Sequence, residues 1–436
     1  MVTTAPEWHR WASTERIRGR LTEAANGFRR ALAIDRNFLP AQYALALLLL
    51  DFGDVAGAAV LAAQMSTGAP ASIEVLWIEA RLAMANAQWK SACEILKNLL
   101  AKPGLSEVQT AEAHLSFGLA LGELGDHAGA FKAAATGKAL QRGHYREQAS
   151  SREREADKLR RLGRWLDQSS ESFRSPLPAR LDARRPQHAF LLGFPRSGTT
   201  LLEQLLAAHP HVRTLEEEPL LAAAYEAFLS DEAACARLTD LSGDEATAWA
   251  DHYWGAVQSR VPDVQGTLFV DKQPAGTLTL PIISKLFPDA KILFSIRDPR
   301  DVVLSCFRQS FQMNAMTYAF TDLQEAADCY DACMSFAERA RARLRLPWLD
   351  VKHEDLVQDF TSELNRILDF LELPEHKAMS DVAAAAKARP IRTPSATQVR
   401  AGLNRRGLGR WRQYSDALEP VLPTLAEWVD RFGYAG

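Results

Sequence analysis

Two kinds of apolar spacing divide the chain. Up to about residue 144, small and apolar positions recur in blocks. Gly19-Arg20-Leu21-Thr22-Glu23-Ala24 is matched 34 residues on by Gly53-Asp54-Val55-Ala56-Gly57-Ala58, and after another 34 by Ala87-Gln88-Trp89-Lys90-Ser91-Ala92. Gly125-Asp126-His127-Ala128-Gly129-Ala130 follows after 38, the surplus falling around Pro103-Gly104. Small residues also stand upstream of each turn, at Ala12, Ala46, Ala80 and Gly118. Each block predicts a helix, a tight turn and a second helix, with Ala where the two touch. Residues 145 to about 186 are rich in charge, with Leu159, Leu162 and Trp165 as a narrow apolar stripe. They predict a connector helix with a solvated face, ended by Ser175-Pro176-Leu177-Pro178. From residue 187 short apolar runs take over: Ala189–Gly193, Leu268–Asp271, Lys291–Ile296 and Trp348–Lys352. They alternate with helical stretches such as Thr200–Ala208. Such alternation predicts a parallel sheet with helices on both faces.

The repeat period resembles the tetratricopeptide repeat, a 34-residue helical pair. Four units starting near residues 5, 39, 73 and 111 then predict an all-α solenoid over 1–144. One pair cannot bury its own apolar face, so the pairs must stack and curve. The concave surface suits a scaffold, self-association, or a groove for an acceptor or protein partner, and no groove residue decides among these. At roughly 150 residues per domain, 436 residues agree with two or three domains, here 1–144, a connector 145–186 and 187–436. A net charge of -3 gives no global reason for nucleic-acid binding but leaves room for a local anion site. Five cysteines make no disulfide framework, and Cys329 and Cys333 share one helix face as core thiols. The N-terminus has no signal-type apolar stretch. The most apolar run, Tyr43–Leu50, is far short of the roughly 20 residues that span a bilayer. The expectation is a protein without a membrane span, in a reducing compartment, most simply the cytoplasm.

The chemistry sits in the second half. Gly193-Phe194-Pro195-Arg196-Ser197-Gly198-Thr199-Thr200 joins an apolar strand to a helix. Backbone N–H groups and the helix dipole favour an anion at such a junction. The two glycines have the spacing of the nucleotide P-loop, but Thr199 occupies the place of its Lys, and the cation is Arg196 instead. Asp271 is a weak candidate for the acidic metal partner of a nucleoside triphosphatase. Kinase or ATPase chemistry is therefore disfavoured. In Ile296-Arg297-Asp298-Pro299-Arg300-Asp301-Val302-Val303-Leu304-Ser305, Asp298 can cap a helix that opens on Pro299. Arg297 then lies at the ligand-binding edge of the sheet, with Ser305 along the same helix, as a clamp for a second phosphate. A local pairing of Arg297 with an Asp is the plain alternative.

Together, in this order, the two motifs resemble those of sulfotransferases that use 3′-phosphoadenosine 5′-phosphosulfate (PAPS). The resemblance extends over about residues 187–436. The Arg inside the loop, His209-Pro210-His211-Val212-Arg213 with Glu216-Glu217 after it, and Lys272 ahead of Leu286-Phe287-Pro288 are similar to tyrosylprotein sulfotransferases. The resemblance implies an α/β, P-loop-like parallel-sheet domain behind the solenoid. It also implies PAPS as co-substrate, 3′-phosphoadenosine 5′-phosphate (PAP) as product, and no metal. Arg196, Ser197, Gly198, Thr199 and Thr200 would hold the 5′-phosphosulfate, with Arg196 also assisting transfer, and Arg297 and Ser305 would hold the 3′-phosphate. Glu217 would be the general base and Lys272 would stabilise the bridging oxygen. Three consecutive acids, Glu216, Glu217 and Glu218, leave the register of the base open by one residue. The plain alternative for Lys272 is an ion pair with Asp271 or Asp298.

Near the C-terminus, Arg405-Arg406-Gly407-Leu408-Gly409-Arg410-Trp411 is similar to the basic segment that closes over the nucleotide in these enzymes. Arg405 or Arg406 would touch the 3′-phosphate, and Trp411 is expected to pack in the core. Tyrosylprotein sulfotransferases carry a Ser near the place of Gly409, so tyrosine is not singled out as acceptor. A protein, polysaccharide or small-molecule hydroxyl all fit. The alternatives are a nucleotide-binding interaction protein without transfer activity and, with less support, an ATP-dependent kinase.

Overall fold

In the N-terminal part, residues that cannot continue a helix set the turns. A computed structural model describes residues 3–68, 71–169, 186–380, 405 and 407–434. Eight helices occupy the repeat region: α1 (Ala5–Ile17), α2 (Leu21–Ile34), α3 (Leu39–Phe52), α4 (Val55–Gly68), α5 (Ile73–Ala85), α6 (Trp89–Leu100), α7 (Glu107–Glu123) and α8 (His127–His144). Gly19, Gly53 and Gly125 stand at the turn within three of the pairs with φ of 77°, 82° and 87°. A left-handed backbone suits Gly, which has no Cβ to clash. Ala87 fills the equivalent place in the third pair at φ 56°, at some steric cost. Reciprocal capping by Thr4 with Glu7, and by Ser106 with Gln109, starts α1 and α7. Ala12, Ala46 and Ala80 on the first helices and Ala24, Ala58, Ala92 and Ala130 on the second are buried. At Gly118 a Cβ would lie 2.8 Å from the Ala130 carbonyl, so only Gly admits this approach. These pairs fit tetratricopeptide-like repeats.

The chain divides into two compact units. The first is essentially residues 1–144 with Arg308–Ser310, and the second begins at Tyr145. The helix expected in the connector forms, as α10 (Glu155–Gln168) after the short α9 (Arg146–Ser150). It ends before Ser175-Pro176, which lies outside the described residues. Its stripe runs through Leu159, Leu162 and Leu166, all buried, whereas Trp165 is half-buried. Gly163 lets it lie close to Arg339 and Phe336 of the long helix Leu323–Arg343, so α10 is part of the second unit. Glu155, in the supposedly solvated charge run, is buried with Lys158 at 3.4 Å.

The second unit is built on five parallel strands in the order β2-β3-β1-β4-β5: β1 (Gln187–Gly193), β2 (Val212–Glu216), β3 (Leu268–Lys272), β4 (Lys291–Ile296) and β5 (Trp348–Lys352). The central strands are buried almost end to end, which accounts for their unbroken apolar runs. The edge strand β2 was not anticipated, because Val212-Arg213-Thr214-Leu215-Glu216 is half-exposed and carries charge. In register, Lys272 stands opposite both Leu191 of β1 and Glu216 of β2. The carboxyl ends of β2, β3, β1 and β4 therefore form one edge, where open α/β sheets bind ligands. Cys329 and Cys333 are buried in helix Leu323–Arg343, as core thiols. Among the described residues no helix is long and apolar enough to cross a membrane.

Candidate active site

Beyond β1 the chain makes a tight loop and enters the helix Thr199–Ala207. Gly193 and Gly198 have φ of 150° and 106°. A Cβ on Gly193 would meet the Ser295 carbonyl at 2.7 Å, and one on Gly198 would meet His353 Nδ1 at 2.7 Å. Arg196 is also left-handed, at φ 71°. The loop is held from outside: Thr277 Oγ1 donates to the Gly193 carbonyl (3.2 Å) and Ser295 Oγ to the Ser197 carbonyl (2.9 Å). The Ser197 amide closes a turn onto the Phe194 carbonyl (3.1 Å), so Ser197 would serve an anion through its hydroxyl. Thr199 and Thr200 are buried at the helix start.

The two cations of this edge are coupled. Arg297 Nη1 donates to the Arg196 carbonyl (3.3 Å), and Arg196 Nε donates to Ser305 Oγ (2.9 Å). Ser305 thus meets the loop arginine rather than Arg297, because the helix Pro299–Arg308 runs beneath the loop. As expected, Asp298 caps this helix, its Oδ1 accepting from the Arg300 amide (3.0 Å). Asp301 lies 3.8 Å from Arg297. Burial, and then the charge of Arg297, push the Arg196 pKa down to about 10, which still leaves it cationic at neutral pH. His353 sits against Gly198, and burial followed by Arg297 and Arg196 pushes its pKa down to about 3, so it is neutral. Ser197 Oγ, Arg297 Nε and His353 Nδ1 are all buried without a hydrogen-bond partner. Buried polar atoms are rarely left so. Two arginines, unfilled donors and a glycine cradle fit a phosphate- or sulfate-bearing ligand.

The acid–base side lies one strand over. The Lys272 side chain is fully buried, with Nζ 2.7 Å from Glu217 Oε1, 3.3 Å from Glu216 Oε1 and 3.6 Å from Glu203 Oε2. Burial alone would lower its pKa, but Glu217, Glu203 and Glu216 outweigh it and raise it, so Lys272 is an ammonium. The partners expected of it, Asp271 and Asp298, are engaged elsewhere. Asp271 accepts from Tyr253 OH (2.8 Å) and Asp298 pairs with Arg300 (2.8 Å). The three acids are now told apart. Glu216 is on β2 and mostly covered, Glu217 has a 43% exposed side chain, and Glu218 pairs with Arg260 at 3.3 Å. Glu217 adopts φ 53°, and its amide donates to the Lys272 carbonyl (2.9 Å), which turns its side chain off the edge of the sheet.

The C-terminal segment is tied to the second motif. Arg297 Nη2 donates to the Gly407 carbonyl (2.5 Å), and the Asp301 carboxylate accepts from the amides of Gly409 and Trp411, both at 2.7 Å. Burial pushes the Asp301 pKa up to about 6 against the lowering by Arg297. Trp411 does not enter the core as expected. It is half-buried under the Arg300 guanidinium, 3.9 Å from its ring centre. Arg405 is exposed, and Arg406 lies outside the described residues.

A family model described as "Sulfotransferase family" matches residues 187–377. The second unit carries a sulfotransferase domain of that family. Curated relatives include a putative protein-tyrosine sulfotransferase of Caenorhabditis briggsae, 28% identical over 57% of this chain and 89% of its own length. Protein-tyrosine sulfotransferase 1 of Danio rerio is 28% identical over 44% of this chain, and that of Homo sapiens 31% over 32%. An uncharacterized Aquifex aeolicus protein is 26% identical over 56% of this chain. The match spans 33% of the Aquifex protein, 54% of the zebrafish one and 38% of the human one. Among solved structures, sulfotransferase STF9 from Mycobacterium avium overlaps 80% of this chain and 96% of its own at 16% identity, with a TM-score of 0.35. Within the sulfotransferase domain, the sequence had not pointed to Glu203, Asp301 or His353. A charged residue in the apolar face of the loop helix was the available signal for Glu203, and the Asp four residues after Arg297 was the signal for Asp301.

Proposed function

We propose that the protein transfers the sulfuryl group of PAPS to an acceptor hydroxyl, with Glu217 as general base. The observation that carries this reading is the pairing of a half-exposed carboxylate with a buried ammonium, Glu217 with Lys272 at 2.7 Å, beside a two-arginine anion loop on the same sheet edge. PAPS would supply the sulfuryl group. Arg196, Ser197 and the start of the loop helix, from Gly198 to Thr200, would hold its 5′ end, and Arg297 its 3′-phosphate. Glu217 takes the acceptor O–H proton. The acceptor oxygen forms a bond to sulfur while the bond from sulfur to the phosphate oxygen breaks, and PAP leaves. Lys272 faces the charge that develops on that oxygen, where a preorganised cation acts most strongly. The kinase alternative remains disfavoured by Thr199 in the Lys position. The acceptor is a hydroxyl of a protein, polysaccharide or small molecule, and the repeats would present it or bind a partner.

The test is transfer of radiolabel from PAPS to acceptor fractions by the wild type and by Glu217→Gln. A general base contributes ~10²- to 10⁴-fold, so turnover should fall by that order while PAP affinity stays within a few-fold. Glu216→Gln and Glu218→Gln should be milder. Wild-type protein that binds PAP but transfers nothing to any acceptor class would favour the binding-only alternative.

A further inference from the structure

Lys272 has one positive charge and three carboxylates around it, and the three differ in how freely they move. Glu217 is the exposed one, and the proposed chemistry requires it to turn toward an acceptor and take up a proton. Each such event weakens its bond to Lys272. Glu203 is the opposite case: its side chain is 3% exposed, and it rises from the rigid helix that follows the anion loop. Its Oε1 accepts from Thr214 Oγ1 of β2 (3.1 Å), and its Oε2 faces Lys272 Nζ at 3.6 Å. A carboxylate fixed at one oxygen and facing an ammonium with the other has little freedom to leave. A buried charge left without its counter-charge is costly, so the pair is held together from both ends.

We propose that Glu203 is the positioning residue that keeps Lys272 in place on the sheet edge while Glu217 leaves it to serve the acceptor. This rests on the sulfuryl-transfer reading above. Glu203 touches no reacting atom and acts through Lys272. Its place on the loop helix also ties the position of the ammonium to that of the anion loop, so donor and cation are set by one rigid element. The charged groups facing Lys272 are Glu203 from the loop helix and Glu216 and Glu217 from the end of β2, whereas β1 places the apolar Leu191 opposite it. Without Glu203 the ammonium keeps two acids, one of which is the mobile base.

The experiment uses the full chain as wild type, Glu203→Gln, Glu203→Asp, Lys272→Met and Glu203→Gln/Lys272→Met. In the first arm, PAP affinity by calorimetry should stay within about threefold in Glu203→Gln, because no loop donor is altered. Its turnover should drop about tenfold, with the alkaline limb of the pH profile moved to lower pH as Lys272 loses its proton more easily. Glu203→Asp should restore part of both. The second arm needs no activity. In a double-mutant cycle of unfolding midpoints, the loss caused by Glu203→Gln should shrink by about half or more when Lys272 is already Met. Additive losses in the cycle, or an unchanged pH profile in a folded Glu203→Gln protein, overturn the assignment. Wild-type protein without transfer from PAPS overturns the reaction itself. It is told apart because it appears before any variant is made and leaves the coupling in the cycle intact.

Discussion

Replacing Asp271 by Asn removes a charge from the interior and should change how stability depends on pH. The Asp271 carboxyl is buried; its Oδ2 accepts from Tyr253 OH at 2.8 Å, and its Oδ1 has no partner. Burial is the largest influence and lifts its pKa from 3.8 to about 7, against a lowering by the Tyr253 bond and with a further lift from the Glu218 charge. Below about pH 4 the group is protonated whether the chain is folded or not. Between about 4 and 7 the unfolded chain releases the proton and the folded chain keeps it, so stability falls as pH rises. Above 7 both forms are ionised and the loss is complete. Each pKa unit corresponds to about 1.4 kcal/mol, so a shift of about three units sets a ceiling of about 4 kcal/mol. The amide of Asp271→Asn leaves one end without a partner just as the protonated acid does. That shifts the whole curve by a constant but adds no slope. Asp301, whose pKa is lifted to about 6, titrates in both proteins and cancels in the difference. Urea unfolding of both proteins at pH 5, 6, 7 and 8 checks this. The stability of Asp271→Asn relative to wild type should grow by about 2–4 kcal/mol from pH 5 to pH 8. Two parallel curves would refute the claim that a buried, strongly shifted carboxyl lies next to Lys272.

Three further outcomes follow from the same geometry. Arg297→Ala should weaken PAP binding by about 1.5–3 kcal/mol, the worth of a charge-assisted bond, and calorimetry showing unchanged affinity with an intact fold would remove Arg297 from the site. A chain beginning at Tyr145 should fold and bind PAP. One beginning at Ala183 lacks α10 with its buried Leu159, Leu162 and Leu166, worth roughly 5–9 kcal/mol of burial together, and should unfold at markedly lower temperature. Asp301→Ala removes the acceptor for the Gly409 and Trp411 amides, so limited proteolysis should cut the C-terminal segment faster than in wild type, with no change at the repeats.

Several features were legible in the sequence because they are local. The 34-residue period placed all four helical pairs, since each pair is set by its own turn residue and by the small residues where its helices touch. The start of the fourth is the exception. Its first helix begins at Glu107 rather than near 111, because Ser106 and Gln109 cap it early. The loop from Gly193 to Thr200 and the capped helix after Arg297 were equally plain, because strand, turn and helix there follow one another directly in the chain. Four of the five described strands announced themselves as apolar runs. β2 did not, because an edge strand with one solvated face need not be apolar.

What only the tertiary structure decided is which charges face one another. Sequence spacing offered Lys272 the neighbouring Asp271, but successive strand residues point to opposite faces. Asp271 therefore turns to Tyr253, and Lys272 to acids from β2 and the loop helix. Parallel pairing set Glu216 opposite Lys272 across 56 residues of chain. It also separated the three consecutive acids into a covered one, a half-exposed one and one paired with Arg260. Ser305 proved to bind Arg196, 109 residues away, rather than the Arg297 on its own motif. His353 reached the loop from the end of β5, and Gly407 reached Arg297 across 110 residues. A helix or a turn is fixed by its neighbours in the chain. A site at the edge of a parallel sheet is fixed by strand order and register, and no local pattern encodes these.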